Sequence, residues 1–203
     1  MSFKKDKFCV IKKAVSKELV EFLFNYFIIQ KQVYDTCIQT RYFSPFETIL
    51  GYYEGKNDQI PNTYSQYSNI AFETLLLKLQ PLMEKETNLK LNPAYTYARV
   101  YKKGDVLKKH KDRISCEIST TINLGGDKWP IYLKNSNKEF KVDLSPGDML
   151  IYRGCELEHW RNAFKGKECA QVFLHYTNAK NKKMFDGRKH LGLPNYFKDK
   201  NGL

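Results

Sequence analysis

The chain has 203 residues, 42% hydrophobic and 28% charged, which indicates one domain with its own core and excludes a disordered or collagen-like chain. No run of about 18 apolar residues occurs, and the first residues lack the apolar core of a signal peptide, so we expect a soluble, cytoplasmic protein. The net charge of +12 would suit a nucleic-acid partner, an acidic substrate or a soluble surface. Five widely spaced cysteines without a CxxC pair predict reduced thiols.

Two helices are predicted in the N-terminal part of the chain. Apolar residues recur at helical spacing over residues 19–27, and Ser16 is placed to cap this helix. A second apolar stripe covers residues 71–82, where Pro81 is expected to kink or divide the helix. Residues 43–68 between them are rich in Tyr, Asn, Pro and Gly, which predicts long loops with a hairpin that could act as a lid.

After Pro93 the hydrophobic period changes to two, which is typical of strands. Strands are predicted at residues 95–101, 118–124, 131–134, 139–144, 149–153, 157–161 and 169–177. Short strands with Gly, Pro and Asp between them favour a sandwich, jelly roll or barrel, here packed against N-terminal helices. The fold class is therefore mainly β with flanking helices (α+β). We expect a helical support region at 1–92, a β core at 93–178 and a basic extension at 179–203.

His110 and Asp112 are the first candidates for chemistry. Residues i and i+2 of an extended chain point to the same side, so both side chains could reach one ion. His159 follows later, just after the strand predicted at 149–153. Two imidazoles and one carboxylate form the set of ligands that suits non-haem Fe(II). An accidental His-x-acid pair remains an open alternative, because 22 of the residues are acidic.

Four short motifs together resemble a known enzyme family. Residues 97–105 (YARVYKKGD), 110–113 (HKDR) and 145–148 (SPGD), followed by His159, are similar to the Fe(II)- and 2-oxoglutarate-dependent oxygenases. The resemblance is strongest to the prolyl-4-hydroxylase-like branch, including its small bacterial and phage members. It covers about residues 93–178 and implies a double-stranded β-helix, also called a jelly roll. It also implies Fe(II), 2-oxoglutarate and O2 as cofactor and co-substrates, with ascorbate as an optional reductant.

The resemblance assigns roles to individual residues. The catalytic and metal-binding set would be His110, Asp112 and His159. The family binds the far carboxylate of 2-oxoglutarate with a basic residue after the second histidine and with a tyrosine, which Tyr101 matches. Two basic residues are candidates for that role. Lys167 stands at the position the family uses, whereas Arg161 lies two residues after the second histidine on the same strand face, and Arg suits carboxylates.

The implied reaction is hydroxylation of a C–H bond, most naturally on a peptide or protein side chain such as proline, with succinate and CO2 as co-products. Residues 99–113 carry seven basic and two acidic side chains, as do residues 180–200, so an oxygenase acting on nucleic acid is an alternative. A metal-independent nucleic-acid-binding β module and a cupin-like metal enzyme without 2-oxoglutarate are further alternatives. We interpret His175 as a core or surface histidine and His190 as solvated.

Overall fold

A computed structural model describes residues 2–44, 46–136, 138–181 and 188–194. The helices in this part of the chain are α1 (Phe3–Asp6), α2 (Lys17–Gln39) and α3 (Ile70–Thr87), with a 3-10 turn at Ile114–Cys116. The strands are β1 (Phe8–Ile11), β2 (Tyr52–Tyr53), β3 (Tyr64–Tyr67), β4 (Leu91–Lys102), β5 (Leu107–His110), β6 (Ile118–Gly126), β7 (Ile131–Asn135), β8 (Lys138–Val142), β9 (Met149–Tyr152), β10 (Glu158–Arg161) and β11 (Glu168–Asn178).

The strands form two antiparallel sheets. The larger sheet has the order β1-β9-β6-β11-β4-β3-β2, and the smaller sheet has the order β5-β10-β7-β8. The mainly β class with helices is confirmed, and each strand predicted after Pro93 is present. The β2–β3 hairpin lies within residues 43–68, as expected, and joins one edge of the larger sheet, whereas β1, which was not predicted, joins the other edge.

The two long helices cover one face of the larger sheet. The Ser16 side chain accepts a hydrogen bond from the Leu19 backbone N–H, so the predicted cap of α2 is confirmed. The helix α3 continues through Pro81 to Thr87 and is not divided there. Phe27 of α2 packs with residues of α3 and of the sheet in the main hydrophobic cluster, and burying each such side chain stabilises the fold by roughly 1.5–3 kcal/mol.

A second hydrophobic cluster joins the two sheets. Ile131 and Leu133 of the smaller sheet pack with Phe8, Leu150 and Tyr152 of the larger sheet. The sheets therefore face one another. The smaller sheet, which contains β5 and β10, lies opposite the larger sheet. None of the helices in the described part of the chain has the length and apolarity that a membrane crossing needs.

The basic extension is partly described. Arg188 is buried and forms an ion pair of 2.9 Å with Glu73 of α3, and it donates a hydrogen bond of 2.6 Å to the Ala94 carbonyl of β4. His190 is exposed, as expected. Residues 182–187 and 195–203 lie outside the described part, and these ranges contain most of the basic residues of the extension.

Candidate functional site

The structure brings His110, Asp112 and His159 together. The strands β5 and β10 are antiparallel neighbours in which His110 pairs directly with His159, and their ring centroids are 4.2 Å apart. Asp112 follows β5, and its Oδ1 atom lies 3.5 Å from Nε2 of His110 and 3.4 Å from Nε2 of His159. Three donor atoms of the kinds that bind Fe(II) therefore converge on one point.

Hydrogen bonds from both imidazoles fix which nitrogen is available to a metal ion. Nδ1 of His110 is 2.8 Å from the Lys108 carbonyl oxygen, and Nδ1 of His159 is 3.0 Å from the Leu157 carbonyl oxygen. A carbonyl only accepts hydrogen bonds, so each Nδ1 carries a proton and each Nε2 faces Asp112. A protonated Nε2 donates to the carboxylate, and a deprotonated Nε2 presents its lone pair to a metal ion. Carbonyl partners of this kind orient the ligands of metal sites. The residues present therefore fit a divalent metal ion.

Asp112 is held from two sides. Its backbone N–H donates a hydrogen bond of 2.9 Å to the Gly154 carbonyl, and its Oδ2 atom accepts one of 3.1 Å from the Ser119 hydroxyl. A Cβ at Gly154 would lie 2.3 Å from that Oδ2 atom and 2.6 Å from the Cys116 carbonyl oxygen. Position 154 therefore has to be glycine for the carboxylate to keep this place.

Protonation and metal binding compete at this cluster. Burial raises the pKa of the Asp112 carboxyl, but hydrogen bonds from His110 and His159 outweigh burial and hold that pKa well below its usual range. Burial lowers the pKa of His110, whereas the neighbouring carboxylate raises it, and the net result lies above the ordinary 6.5. A proton on Nε2 would occupy the position that a metal ion needs.

The cluster opens into a pocket of about 430 Å³ between the two sheets. Aromatic rings make up much of its wall, and Lys111 and Arg113 contribute exposed cations beside the cluster. Arg99 also lines the pocket and is bound by two residues of the predicted loop region, Glu54 at 3.1 Å and Gln59 at 3.0 Å. The aromatic residues of the wall are Tyr52, Tyr67, Tyr95, Tyr97, Tyr101, Tyr152 and Phe173.

Arg161 lies inside the protein, with only 1% of its surface exposed. Its guanidinium bonds to the Trp129 carbonyl and lies 3.4 Å from both Thr121 Oγ1 and Gln171 Oε1. Among the described residues no carboxylate pairs with this cation, and its Nε has no hydrogen-bond partner. Burial lowers its pKa from the ordinary value. A buried cation without an acidic partner is a site for an anion.

Tyr101 lies in the same region. Its ring contacts Trp129 at a centroid distance of 4.7 Å, and the guanidinium of Arg161 lies 5.1 Å from the centre of the same indole. The Tyr101 hydroxyl is buried and has no partner among the described residues. Two unsatisfied donors therefore lie around one indole, where a bound carboxylate could accept from both. Lys167, in contrast, is exposed, and its backbone N–H bonds Asp127.

Three further residues at the site were missed in the sequence. Ser119 and Cys116 lie beside Asp112, and His175 reaches into the pocket, where it is 6% exposed and stacks on Tyr95 at 4.5 Å. His175 is buried and hydrogen-bonded, as a core histidine would be, and in addition it lines the pocket. Its signal was the alternation of β11, which puts residues 173 and 175 on one face.

Comparisons with known proteins agree with this geometry. No protein-family model matches the sequence, and no curated protein matches it either. Solved structures match closely in shape. A prolyl-4-hydroxylase from Pseudomonas putida matches with a TM-score of 0.61 and 14% identity over 87% of this chain and 95% of that one. The chain has the fold of the 2OG-Fe(II) oxygenases.

Two other solved structures carry bound partners. A prolyl hydroxylase from Trichoplax adhaerens, in complex with a peptide fragment of hypoxia inducible factor, matches with a TM-score of 0.65 and 13% identity over 88% of this chain and 86% of that one. HygX from Streptomyces hygroscopicus, with nickel and 2-oxoglutarate bound, matches with a TM-score of 0.61 and 13% identity over 87% and 84% of the two chains. The resemblance found in the motifs is thus confirmed in the fold.

Proposed function

We propose that the protein is an Fe(II)- and 2-oxoglutarate-dependent dioxygenase that hydroxylates a C–H bond, and that its two facing sheets form the double-stranded β-helix of that family. The observation that carries the proposal is the convergence of His110 Nε2, His159 Nε2 and Asp112 Oδ1, with each Nδ1 bonded to a carbonyl. When bound, iron and the co-substrate supply the oxidation of the C–H bond, with succinate and CO2 as co-products. The protein supplies ligands, orientation and exclusion of water.

His110, Asp112 and His159 would hold the metal ion from one side. Three protein ligands on one side leave further coordination positions for a co-substrate and for oxygen. The two neutral imidazoles and one carboxylate compensate only one of the two charges of Fe(II). The remaining charge favours an anionic co-substrate.

Arg161 and Tyr101 would bind the far carboxylate of 2-oxoglutarate. Both present a buried donor without a partner among the described residues. A carboxylate that accepts from both would satisfy the two orphan donors and compensate the buried guanidinium. Between the two basic residues that the sequence left open, burial favours Arg161 over the exposed Lys167.

A peptide or protein side chain such as proline is the proposed substrate. The aromatic wall of the pocket suits an apolar ring, and Tyr52 and Gln59 of the 43–68 region close one side of it. A Trichoplax prolyl hydroxylase of the same fold is complexed with a peptide. The Arg99–Glu54 ion pair holds the 43–68 region against β4, and such a contact would keep a lid closed over the pocket.

The test is conversion of 2-oxoglutarate to succinate, followed by NMR with and without Fe(II) and with a panel of proline-containing peptides. We expect iron-dependent succinate formation that a peptide stimulates, and its loss in His159→Ala. His190→Ala is the matched control, because His190 is exposed and outside the site. Iron-independent turnover, or equal turnover in the two variants, would contradict the proposal.

A further inference from the structure

One hydroxyl joins Asp112 to the larger sheet. Ser119 on β6 is completely buried, and its Oγ atom has three close neighbours. These are Asp112 Oδ2 at 3.1 Å, the Cys116 carbonyl oxygen at 3.0 Å and Nδ1 of His175 at 3.0 Å. Both histidine Nε2 atoms are closest to Oδ1 of Asp112. The other carboxylate oxygen, Oδ2, is the one that the Ser119 hydroxyl contacts.

The number of hydrogens fixes the direction of these bonds. A serine hydroxyl has one hydrogen to donate, and both the carboxylate and the carbonyl can only accept. The hydrogen goes preferentially to Asp112, because a bond to a charged acceptor is about twice as strong as a neutral one. Nδ1 of His175 therefore donates to the lone pair of Ser119. The bonds run in one direction, from His175 through Ser119 to Asp112.

His175 is held in the orientation that this chain of bonds needs. Its ring stacks on Tyr95 at 4.5 Å with an interplanar angle of 29°, and Tyr95 in turn stacks on Tyr67 at 5.0 Å. The Tyr95 hydroxyl lies 3.0 Å from the Cys116 sulfur. Rotation of the imidazole would break the stack as well as the hydrogen bond.

Asp112, Cys116 and His175 also lie close enough to hold a cation of their own. The contacts of Ser119 favour a hydrogen-bond network instead. The same hydroxyl already bonds Oδ2 of Asp112 and Nδ1 of His175, so both of these atoms have a partner without an ion. It would also take Asp112 away from the two metal-binding histidines.

We propose that Ser119 and His175 are positioning residues that hold Oδ2 of Asp112, so that only Oδ1 is presented to the metal ion. The proposal rests on the metal site of the proposed function and adds two residues to it. Without the Ser119 hydroxyl, the carboxylate is free to rotate and to bind the metal through both oxygens. That binding would use a coordination position that the co-substrate or oxygen needs.

Three variants separate this role from a purely structural one. Loss of a residue that orients a metal ligand typically weakens metal binding about 10- to 100-fold, which we expect for Ser119→Ala. His175→Phe keeps an aromatic ring for the stack on Tyr95 and removes both ring nitrogens, among them the N–H that faces Ser119, so we expect about a 2- to 12-fold loss. Because His175 acts through Ser119, the double variant should bind metal no more weakly than Ser119→Ala alone.

The experiment is an anaerobic titration of the metal-free full chain with Co²⁺, measured by calorimetry and by the visible d–d spectrum, which weakens as the coordination number rises. Ser65→Ala is the matched control, because Ser65 is equally buried on a strand and, among the described residues, its hydroxyl bonds only the Thr63 carbonyl. Thermal unfolding of each variant checks the fold.

The expected result is weaker binding and a changed d–d spectrum in Ser119→Ala, and unchanged binding in Ser65→Ala. The losses in Ser119→Ala and His175→Phe should not add in the double variant. Full affinity and an unchanged spectrum in Ser119→Ala would overturn the inference, as would losses that add in the double variant. If Ser119→Ala does not fold, His175→Phe decides alone, and unchanged affinity in it would overturn the chain of bonds. Failure of the unaltered protein to bind Co²⁺ would instead contradict the proposed function itself.

Discussion

Replacing Arg161 with methionine tests how the co-substrate is bound. The substitution keeps much of the side-chain volume and removes a buried positive charge that has no acidic partner among the described residues. Its contacts with the Thr121 and Gln171 side chains are both long at 3.4 Å and contribute little to the fold, so its main bond within the protein is the one to the Trp129 carbonyl. The free Nε donor and the charge are what a bound carboxylate would use.

The magnitude follows from the bond that is lost. A hydrogen bond to a charged group contributes about 1.5–3 kcal/mol, which corresponds to a rise of about 10- to 150-fold in the Kd of 2-oxoglutarate. The melting temperature without ligand should not fall by much, since replacing an uncompensated buried charge with an apolar side chain is often neutral or stabilising. Arg161→Met should thus lose affinity while it keeps stability.

The assay is an anaerobic titration of Fe(II)-loaded protein with 2-oxoglutarate, combined with thermal unfolding of the metal-free variants. Lys167→Met is the matched control, because it removes the same charge from the exposed candidate. It should leave the Kd unchanged. A large loss in Lys167→Met with none in Arg161→Met would refute the reasoning from burial.

Three other predictions concern the same pocket. Tyr101→Phe removes a hydroxyl without a partner among the described residues, so the Kd of 2-oxoglutarate should rise about 10-fold. The melting temperature without ligand should stay the same or rise, and a lower one would contradict the absence of a partner. Because Asp112 raises the pKa of His110, protons should compete with the metal ion already above pH 6.5. Calorimetry should therefore show the affinity for the metal ion falling as the pH falls from 8 to 6, and an affinity that does not change with pH would contradict this. Gly154→Ala should weaken Co²⁺ binding about 10-fold or more, because the added methyl group would displace the Asp112 carboxylate. Unchanged binding would contradict the close contact between position 154 and Asp112.

Most strands of the core could be predicted because apolar residues alternate with exposed or pocket-facing ones, whereas β9 is a short apolar run that is buried throughout. The strand β6 shows this clearly, since Ile118 and Ile122 face the main hydrophobic cluster while Ser119 and Thr121 face the other way. The strand β5 was missed because its sequence, LKKH, buries only Leu107 and has no hydrophobic period. It forms a strand through pairing with β10, which is a contact distant in sequence.

The cluster of His110, Asp112 and His159 could be predicted from spacing and motif order, whereas its surroundings could not. The choice between Arg161 and Lys167 depends on burial, and burial of Arg161 follows from the pairing of β10 between β5 and β7. The role of His175 depends on β11 lying next to both β6 and β4, which brings it to Ser119 and Tyr95. Local sequence carries no information on such cross-strand neighbours.

The central claim is tested most directly by adding one equivalent of Fe(II) and then 2-oxoglutarate to the metal-free protein without oxygen, while the visible spectrum is recorded. The account predicts a metal-to-ligand charge-transfer band that appears only when both are present and is absent in His110→Ala. No band with folded protein and reduced iron, or the same band in His110→Ala, would contradict the site. Binding of single-stranded nucleic acid without any metal dependence would then favour the metal-independent module.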